Sequence, residues 1–325
     1  MQKLTLQETA QRLTQCEDAY ILIHRSPDGD CIGGGYALAE ILHQMGRRAK
    51  VICNDPIPVR YAFMLPPEEP EDFMPKSILS IDVADPKLLG KETNARYGKK
   101  VDLCIDHHAS HVEFAAEGYV DGMAAAASQI VCQMLAFLPQ VVLTDFMATC
   151  LYTGIATDTG CFQYDNAGAL THMAVADLMT RCPNVDYSWI NRKMFSVKSM
   201  ERLKLDQQLT DRLERYMDGK CVLICITKTF LDSFQIEDAE LEGIASFPLQ
   251  VEGAEVGVTM KEREPGKFRV SMRSSEWVDV SQICQSLGGG GHIKASGCMV
   301  KGTAEEARKI ILDAVQKGME RQCRN

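Results

Sequence analysis

Four times along this chain an apolar run stops at an acid, twice with histidine beside it. Tyr20 to Ile23 leads into His24-Arg25-Ser26-Pro27-Asp28-Gly29-Asp30. Ser80-Ile81 ends at Asp82, Cys104-Ile105 at Asp106-His107-His108, and Leu151 to Ala156 runs into Thr157-Asp158-Thr159-Gly160. The stretches between have helical spacing, as at Ala37, Leu38, Ile41 and Leu42 after Gly33-Gly34-Gly35, where a helix to about Met45 is expected to open. Strands alternating with helices predict an α/β domain whose parallel sheet is covered on both faces. Polar groups collect where such strands end, so each of the four acids is expected at a strand end. His24, Asp28, Asp30, Asp82, His107 and Asp158 should then converge. Carboxylates brought that close repel, unless some protonate or cations intervene. An oxygen-rich set with a few imidazoles and no thiolate favours two divalent cations, manganese ahead of magnesium and both ahead of zinc.

Other elements follow from periodicity and turn residues. Residues 2–16 read as an amphipathic helix, 51–53, 77–82 and 101–106 as strands, 54–76 as surface loop, and 124–138, 143–156 and 170–179 as helices. A charged stretch, 196–218, reads as a helical linker between a domain at 1–195 and a smaller α+β domain at 219–325. That second domain should hold a strand at 221–227, a helix at 237–247, a hairpin around Glu264-Pro265-Gly266, a glycine run at 288–291, and a closing helix from Thr303 with Glu306 in its capping box.

Bulk properties exclude several classes. A net charge of −9 offers no electrostatic carpet for long nucleic acid, and no basic stripe stands out in the sequence. No apolar stretch is long enough to span a bilayer, and residues 1–14 lack the apolar segment of a secretory signal. The 13 scattered cysteines include no Cys-x-x-Cys pair, so they are expected as reduced thiols in the cytoplasm.

The combination resembles a known family. His24-x-x-Pro27-Asp28-Gly29-Asp30-x-x-Gly33, then Asp82, then Asp106-His107-His108, then Gly154-x-x-x-Asp158-Thr159-Gly160 are similar to the signature motifs of the DHH phosphoesterases. Gly288-Gly289-Gly290-Gly291-His292-x-x-Ala295-Ser296-Gly297 is similar to the signature of the DHH-associated C-terminal domain. The two-domain length resembles the nano-RNase and pAp-phosphatase branch.

The resemblance implies one cation on His24, Asp28 and Asp82 and a second on Asp30, Asp82, His107 and Asp158. His108 would face the scissile phosphate and Asp106 would orient the histidines. It further implies a substrate clamp of Arg273, Ser274, Gly289, Gly290, Gly291 and His292, with Asn166 lining the cleft. The implied substrates are oligoribonucleotides of a few residues, linear dinucleotides, or adenosine 3′,5′-bisphosphate; long duplex nucleic acid and membranes are not expected partners. An inorganic pyrophosphatase, a single-strand DNA exonuclease and a non-catalytic nucleotide-binding module are the alternatives. Oligomeric state stays open, a homodimer included. So does His111, which stands where the family often has asparagine: a polar contact, an outer ligand or a surface histidine.

Overall fold

The first three apolar runs become parallel strands. In the computed structural model, which describes residues 1–68, 70–236, 241 and 243–323, the N-terminal unit spans Met1–Val197. Its elements are β1 (Gln2–Lys3), α1 (Leu6–Leu13), β2 (Ala19–Leu22), α2 (Gly29–Gln44), β3 (Ala49–Ile52), β4 (Ser77–Ile81), α3 (Lys91–Tyr97), β5 (Leu103–Asp106), β6 (Glu117–Val120), α4 (Ala127–Met134), α5 (Asp145–Asp158), α6 (Ala169–Arg181) and α7 (Tyr187–Asn191). The six strands pair in the order β1-β6-β5-β4-β2-β3, every pair parallel. Side chains alternate between two cores. Ile21, Leu79, Ile81, Leu103 and Ile105 face the larger one with α1, α2, α4 and α5, whereas Tyr20, Leu22, Ile78 and Cys104 face a smaller one with Leu89 and Tyr97. The chain leaves β2 toward β3 on one side and returns to β4 on the other. The β2/β4 seam is therefore the switch point, where a crevice opens beyond the strand ends.

Several expectations change. Residues 2–16 split into an edge strand and an eight-residue helix, with a Thr5–Glu8 capping box. Strands β1 and β6 and helix α3 were not foreseen. The loop 54–76 carries a 3₁₀ turn, Val59–Met64, that buries Tyr61 and Met64. The expected helix at 143–156 forms as the fourteen-residue α5, capped by Thr144, so Asp158 closes a helix rather than a strand.

The glycine run does not open α2; it lies inside it. The helix begins at Gly29, capped by Asp28. A methyl group on Gly33 would stand 2.2 Å from the Cys150 carbonyl oxygen of α5, and one on Gly29 would strike the Thr157 side chain. The glycines let α2 and α5 touch backbone to backbone.

The C-terminal unit spans Lys198–Asn325. It holds α8 (Met200–Thr210), β7 (Glu214–Tyr216), β8 (Cys221–Ile226), α9 (Lys228–Leu231), β9 (Val256–Glu264), β10 (Lys267–Ser274), α10 (Val280–Ser286), β11 (Gly290–His292), β12 (Ala295–Lys301) and α11 (Ala304–Gln322). Its mixed sheet runs β11-β12-β10-β9-β8-β7, parallel only between β8 and β9. One face, with Val258, Met260, Phe268, Val270 and Met272, packs in a core with Ile283, Ile311 and Val315 of α10 and α11. Residues 196–218 are not a free linker: Leu205 and Leu209 of α8 are fully buried in this unit's satellite core beside Ile224 and Ile226, and β7 is a sheet edge. Residues 237–240 and 242 of the expected helix at 237–247 lie outside the described residues; from Ile244 to Gln250 the chain is 3₁₀. The hairpin forms as β9–β10, with Gly266 at φ +71° in its turn, and the Thr303–Glu306 capping box is present.

Gly33→Ala should force α2 from α5. Overpacking of this kind costs about 1–3 kcal/mol, which outweighs the roughly 1 kcal/mol helix-propensity gain of alanine. A lowered midpoint in thermal or urea unfolding is expected; an unchanged or raised midpoint contradicts the close crossing.

Candidate metal centre

Each side chain of the centre is aimed by backbone structure around the switch point. His24 follows β2 by two residues, Asp82 follows β4 directly, Asp106 ends β5, and His107 comes next. Asp82 adopts a left-handed conformation, φ +57°, which a non-glycine residue holds at a cost of about 1–3 kcal/mol. Its carboxylate lies between two histidines: Oδ2 is 3.5 Å from His24 Nε2, and Oδ1 is 3.3 Å from His107 Nε2.

Two clusters grow from that carboxylate. His24 Nε2 is also 3.4 Å from Asp28 Oδ2. The other oxygen of Asp28 accepts the Asp30 and Cys31 amides as the cap of α2, so one carboxylate both starts the helix and faces the site. On the far side His107 Nε2 lies 3.2 Å from Asp158 Oδ2 and 3.9 Å from Asp30 Oδ2. Asp30 is fully buried. It accepts the Ala127 and Ser128 amides at 2.6 and 2.8 Å, at the N-terminus of α4, where backbone donors favour an anion. A side chain at Gly154 would collide with Ser128 and approach Asp30 to 2.8 Å, which accounts for glycine there.

Asp106 stands one layer back. Its Oδ1 accepts the His107 amide at 2.9 Å and faces His108 Nδ1 at 2.8 Å, while Oδ2 faces His111 Nδ1 at 2.6 Å. His111 is therefore no surface histidine: its side chain is 4% exposed and grips the free oxygen of Asp106. Asn166 donates from its amide to the carbonyls of Ala125 and Asp158, tying down the end of α5.

The charges conflict as they stand. Burial and the Asp82 charge push Asp30 up to about 7. Burial and Asp30 push Asp158 well above the ordinary carboxylate range. Burial alone would lower His107, but Asp158 and Asp82 push it up to about 12; the same contest, against Asp28 and Asp82, raises His24. Asp106 goes the other way, because its bonds with His108 and His111 overcome burial and hold it below the usual range.

These residues fit divalent cations. Nδ1 of His24 faces the Arg25 carbonyl at 2.9 Å and Nδ1 of His107 faces the Ala124 carbonyl at 3.3 Å. A carbonyl only accepts, so Nδ1 carries the proton and Nε2 of the neutral ring presents a lone pair. Those lone pairs meet carboxylate oxygens. His107 Nε2 and Asp82 Oδ1 are buried without a hydrogen bond, a costly arrangement that a cation between them removes. Two groups, His24-Asp28-Cys31-Asp82 and Asp30-His107-Asp158, each bring their ligand atoms within 4.8 Å of one another.

Comparison with known proteins agrees with this geometry. Residues 18–155 match the N-terminal domain of the DHH family and 220–320 match the DHHA1 domain. The bifunctional oligoribonuclease and PAP phosphatase NrnA of Thermus thermophilus is 30% identical over 93% of this chain and 90% of its own length. The chain belongs to the DHH family. Like its relatives, it is a phosphoesterase-type hydrolase. The cyclic-di-AMP phosphodiesterase PdeA of Listeria monocytogenes is 23% identical over 93% of this chain and 48% of its own. An exopolyphosphatase-related protein from Bacteroides fragilis shares the fold, with a TM-score of 0.84 and 23% identity over 96% of both chains. DHH phosphoesterases are metal-dependent enzymes, and this cluster could hold metal ions.

The DHHA1 residues separate into two groups. Strand β11 pairs antiparallel with β12, so Gly290, Gly291 and His292 form an exposed edge strand rather than a loop wrapped around an anion. Gly289 is a packing position, where a Cβ would stand 2.1 Å from the Gly297 carbonyl. Ser274 is buried and its hydroxyl donates to the Ile293 carbonyl. Arg273 and His292 both pair with Ala295, from either side of β12, and so project from one sheet face.

Mn²⁺ should stabilise this DHH protein more as pH rises. The raised histidines favour the metal-free fold below about pH 6.5, and that advantage is lost as pH climbs toward their folded values. Asp30, raised to about 7, acts in the same direction from about pH 4 upward. Cations displace these protons. The gap in Tm between Mn²⁺-loaded and EDTA-treated protein should widen from about pH 5.5 to about pH 8; a constant or narrowing gap contradicts the ligand set.

Proposed function

We propose that this protein uses two divalent cations, manganese first and magnesium second, to hydrolyse oligoribonucleotides of a few residues or linear dinucleotides to 5′-mononucleotides, and adenosine 3′,5′-bisphosphate to AMP. The placement of Asp82 carries the reading, one oxygen toward each histidine cluster. His24, Asp28 and Asp82 would hold one cation, and Asp30, Asp82, His107 and Asp158 the other. When bound, the pair supplies Lewis acidity and a water acidic enough to attack phosphorus near neutral pH.

The chain's own residues do the rest. Asp106 fixes the His108 ring through Nδ1, and that contact raises the His108 pKa, which favours the charged ring with a proton on Nε2. His108 is 37% exposed on the side chain and can donate to a non-bridging phosphate oxygen as negative charge grows there. In the overall step a water oxygen bonds to phosphorus, the bond from phosphorus to the ribose oxygen breaks, and a proton passes to that leaving oxygen. Arg273 and His292 would bind the nucleotide's charged end. The Thermus relative's name, which joins oligoribonuclease and PAP phosphatase, supports this substrate pair. No helix among the described residues is long and apolar enough to cross a membrane, and thirteen unpaired thiols suit a reducing cytoplasm.

With Mn²⁺, the protein should convert RNA of two to five residues to 5′-mononucleotides and adenosine bisphosphate to AMP. Turnover of pyrophosphate alone, or of none of these, defeats the assignment. Asp158→Ala should lower kcat by at least about 10³-fold with every substrate, by loss of a cation and of the charge stabilisation it supplies.

A further inference from the structure

The motifs assemble a centre of oxygen and nitrogen ligands; the fold adds a sulfur to one half of it. Cys31 is fully buried in the first turn of α2, three residues after the Asp28 cap. Side chains at those two positions meet across the turn, as they do in a capping box. Asp28 Oδ1 accepts the Cys31 amide at 3.1 Å, and the Cys31 thiol reaches back to the Asp28 carbonyl at 3.6 Å. That return sets the thiol against the His24 ring. One ligand atom each from His24, Asp28, Cys31 and Asp82 then lie within 4.8 Å of one another. Among the described residues Cys31 alone of the thirteen cysteines joins such a group. Asp82, which borders both clusters, is 3% exposed, and its Oδ1 is buried without a hydrogen bond. The two cation positions are thus chemically unequal. Beside Asp82, one has an imidazole, a second carboxylate and a thiol, four donors in all, which is the number zinc takes. The other has only an imidazole and the carboxylates of Asp30 and Asp158. Thiolate favours zinc and metals like it, whereas carboxylate and water suit manganese and magnesium.

We propose that Cys31 Sγ is a ligand for thiophilic cations at the position of His24, Asp28 and Asp82, and that it makes this position selective for zinc, cadmium or cobalt over manganese. On binding, a metal–sulfur bond forms and the S–H proton leaves to solvent, so no oxidant or reductant is needed. Manganese, a harder ion, takes the imidazole and the carboxylates and leaves the thiol protonated. The inference rests on the two-cation reading and adds to it a difference between the two positions.

The test is titration of full-length, EDTA-stripped protein with Co²⁺, read by the near-ultraviolet charge-transfer absorbance that marks a cobalt–thiolate bond. Wild type should show the band as cobalt binds. Cys31→Ala and Cys31→Ser should lose it, the serine variant keeping the side chain's size and a donor to the Asp28 carbonyl. Cys323→Ser, which removes an exposed thiol at the end of α11, should keep it. Competition against a chromophoric chelator should show Zn²⁺ binding weakened about 100-fold in both Cys31 variants, with Mn²⁺ binding changed by less than about threefold. Cobalt binding without the band in wild type overturns the proposal. So does a band that survives in the Cys31 variants, or an equal loss of zinc and manganese affinity. Hydrolysis of RNA by wild type with Mn²⁺ is measured in parallel. Hydrolysis without the band defeats only the sulfur ligand, the band without hydrolysis of any substrate defeats only the functional reading, and failure to bind any of these cations defeats both.

Discussion

Mutual repulsion among Asp28, Asp30, Asp82 and Asp158 is the constraint around which the N-terminal unit is built. Asp30 and Asp82 are almost wholly out of water, where like charges are screened least. Among the described residues no lysine or arginine forms an ion pair with them. The fold satisfies Asp28 and Asp30 with backbone amides and leaves Asp82 Oδ1 buried without a hydrogen bond. Asp28 gives one oxygen to the cap of α2, Asp30 rests on the amides that begin α4, and Asp82 is held by a strained backbone. Helix starts, helix packing and strand ends all serve one electrostatic arrangement. The tight α2–α5 crossing belongs to it as well, since Asp158 ends the helix that Gly33 allows to approach.

Much of this was legible in the sequence because it is local. A strand buried on both faces must be uniformly apolar, so β2, β4 and β5 announce themselves. The residues just beyond them are near in space because parallel neighbours end together. The missed features depend on contacts between distant segments. The glycines of α2 look like a turn until α5 is laid against them. His111 looks like a surface residue because its partner, Asp106, is reached only when the chain curls back from β5. The edge strand β1 pairs with β6 over two residues, too few for any periodicity to register.

The two units place their chemistry by opposite uses of a sheet. The parallel sheet is covered on both faces, so only its strand ends are open, and reactive groups gather at the switch point. The mixed sheet covers one face with α10 and α11, and on the other face the 3₁₀ segment Ile244–Gln250 packs over β9, where Thr259 donates to the Ile244 carbonyl. Strand ends suit a compact ligand set that must be oriented atom by atom. Asp106 shows how far that goes, since both of its oxygens are held by histidines and the His107 amide.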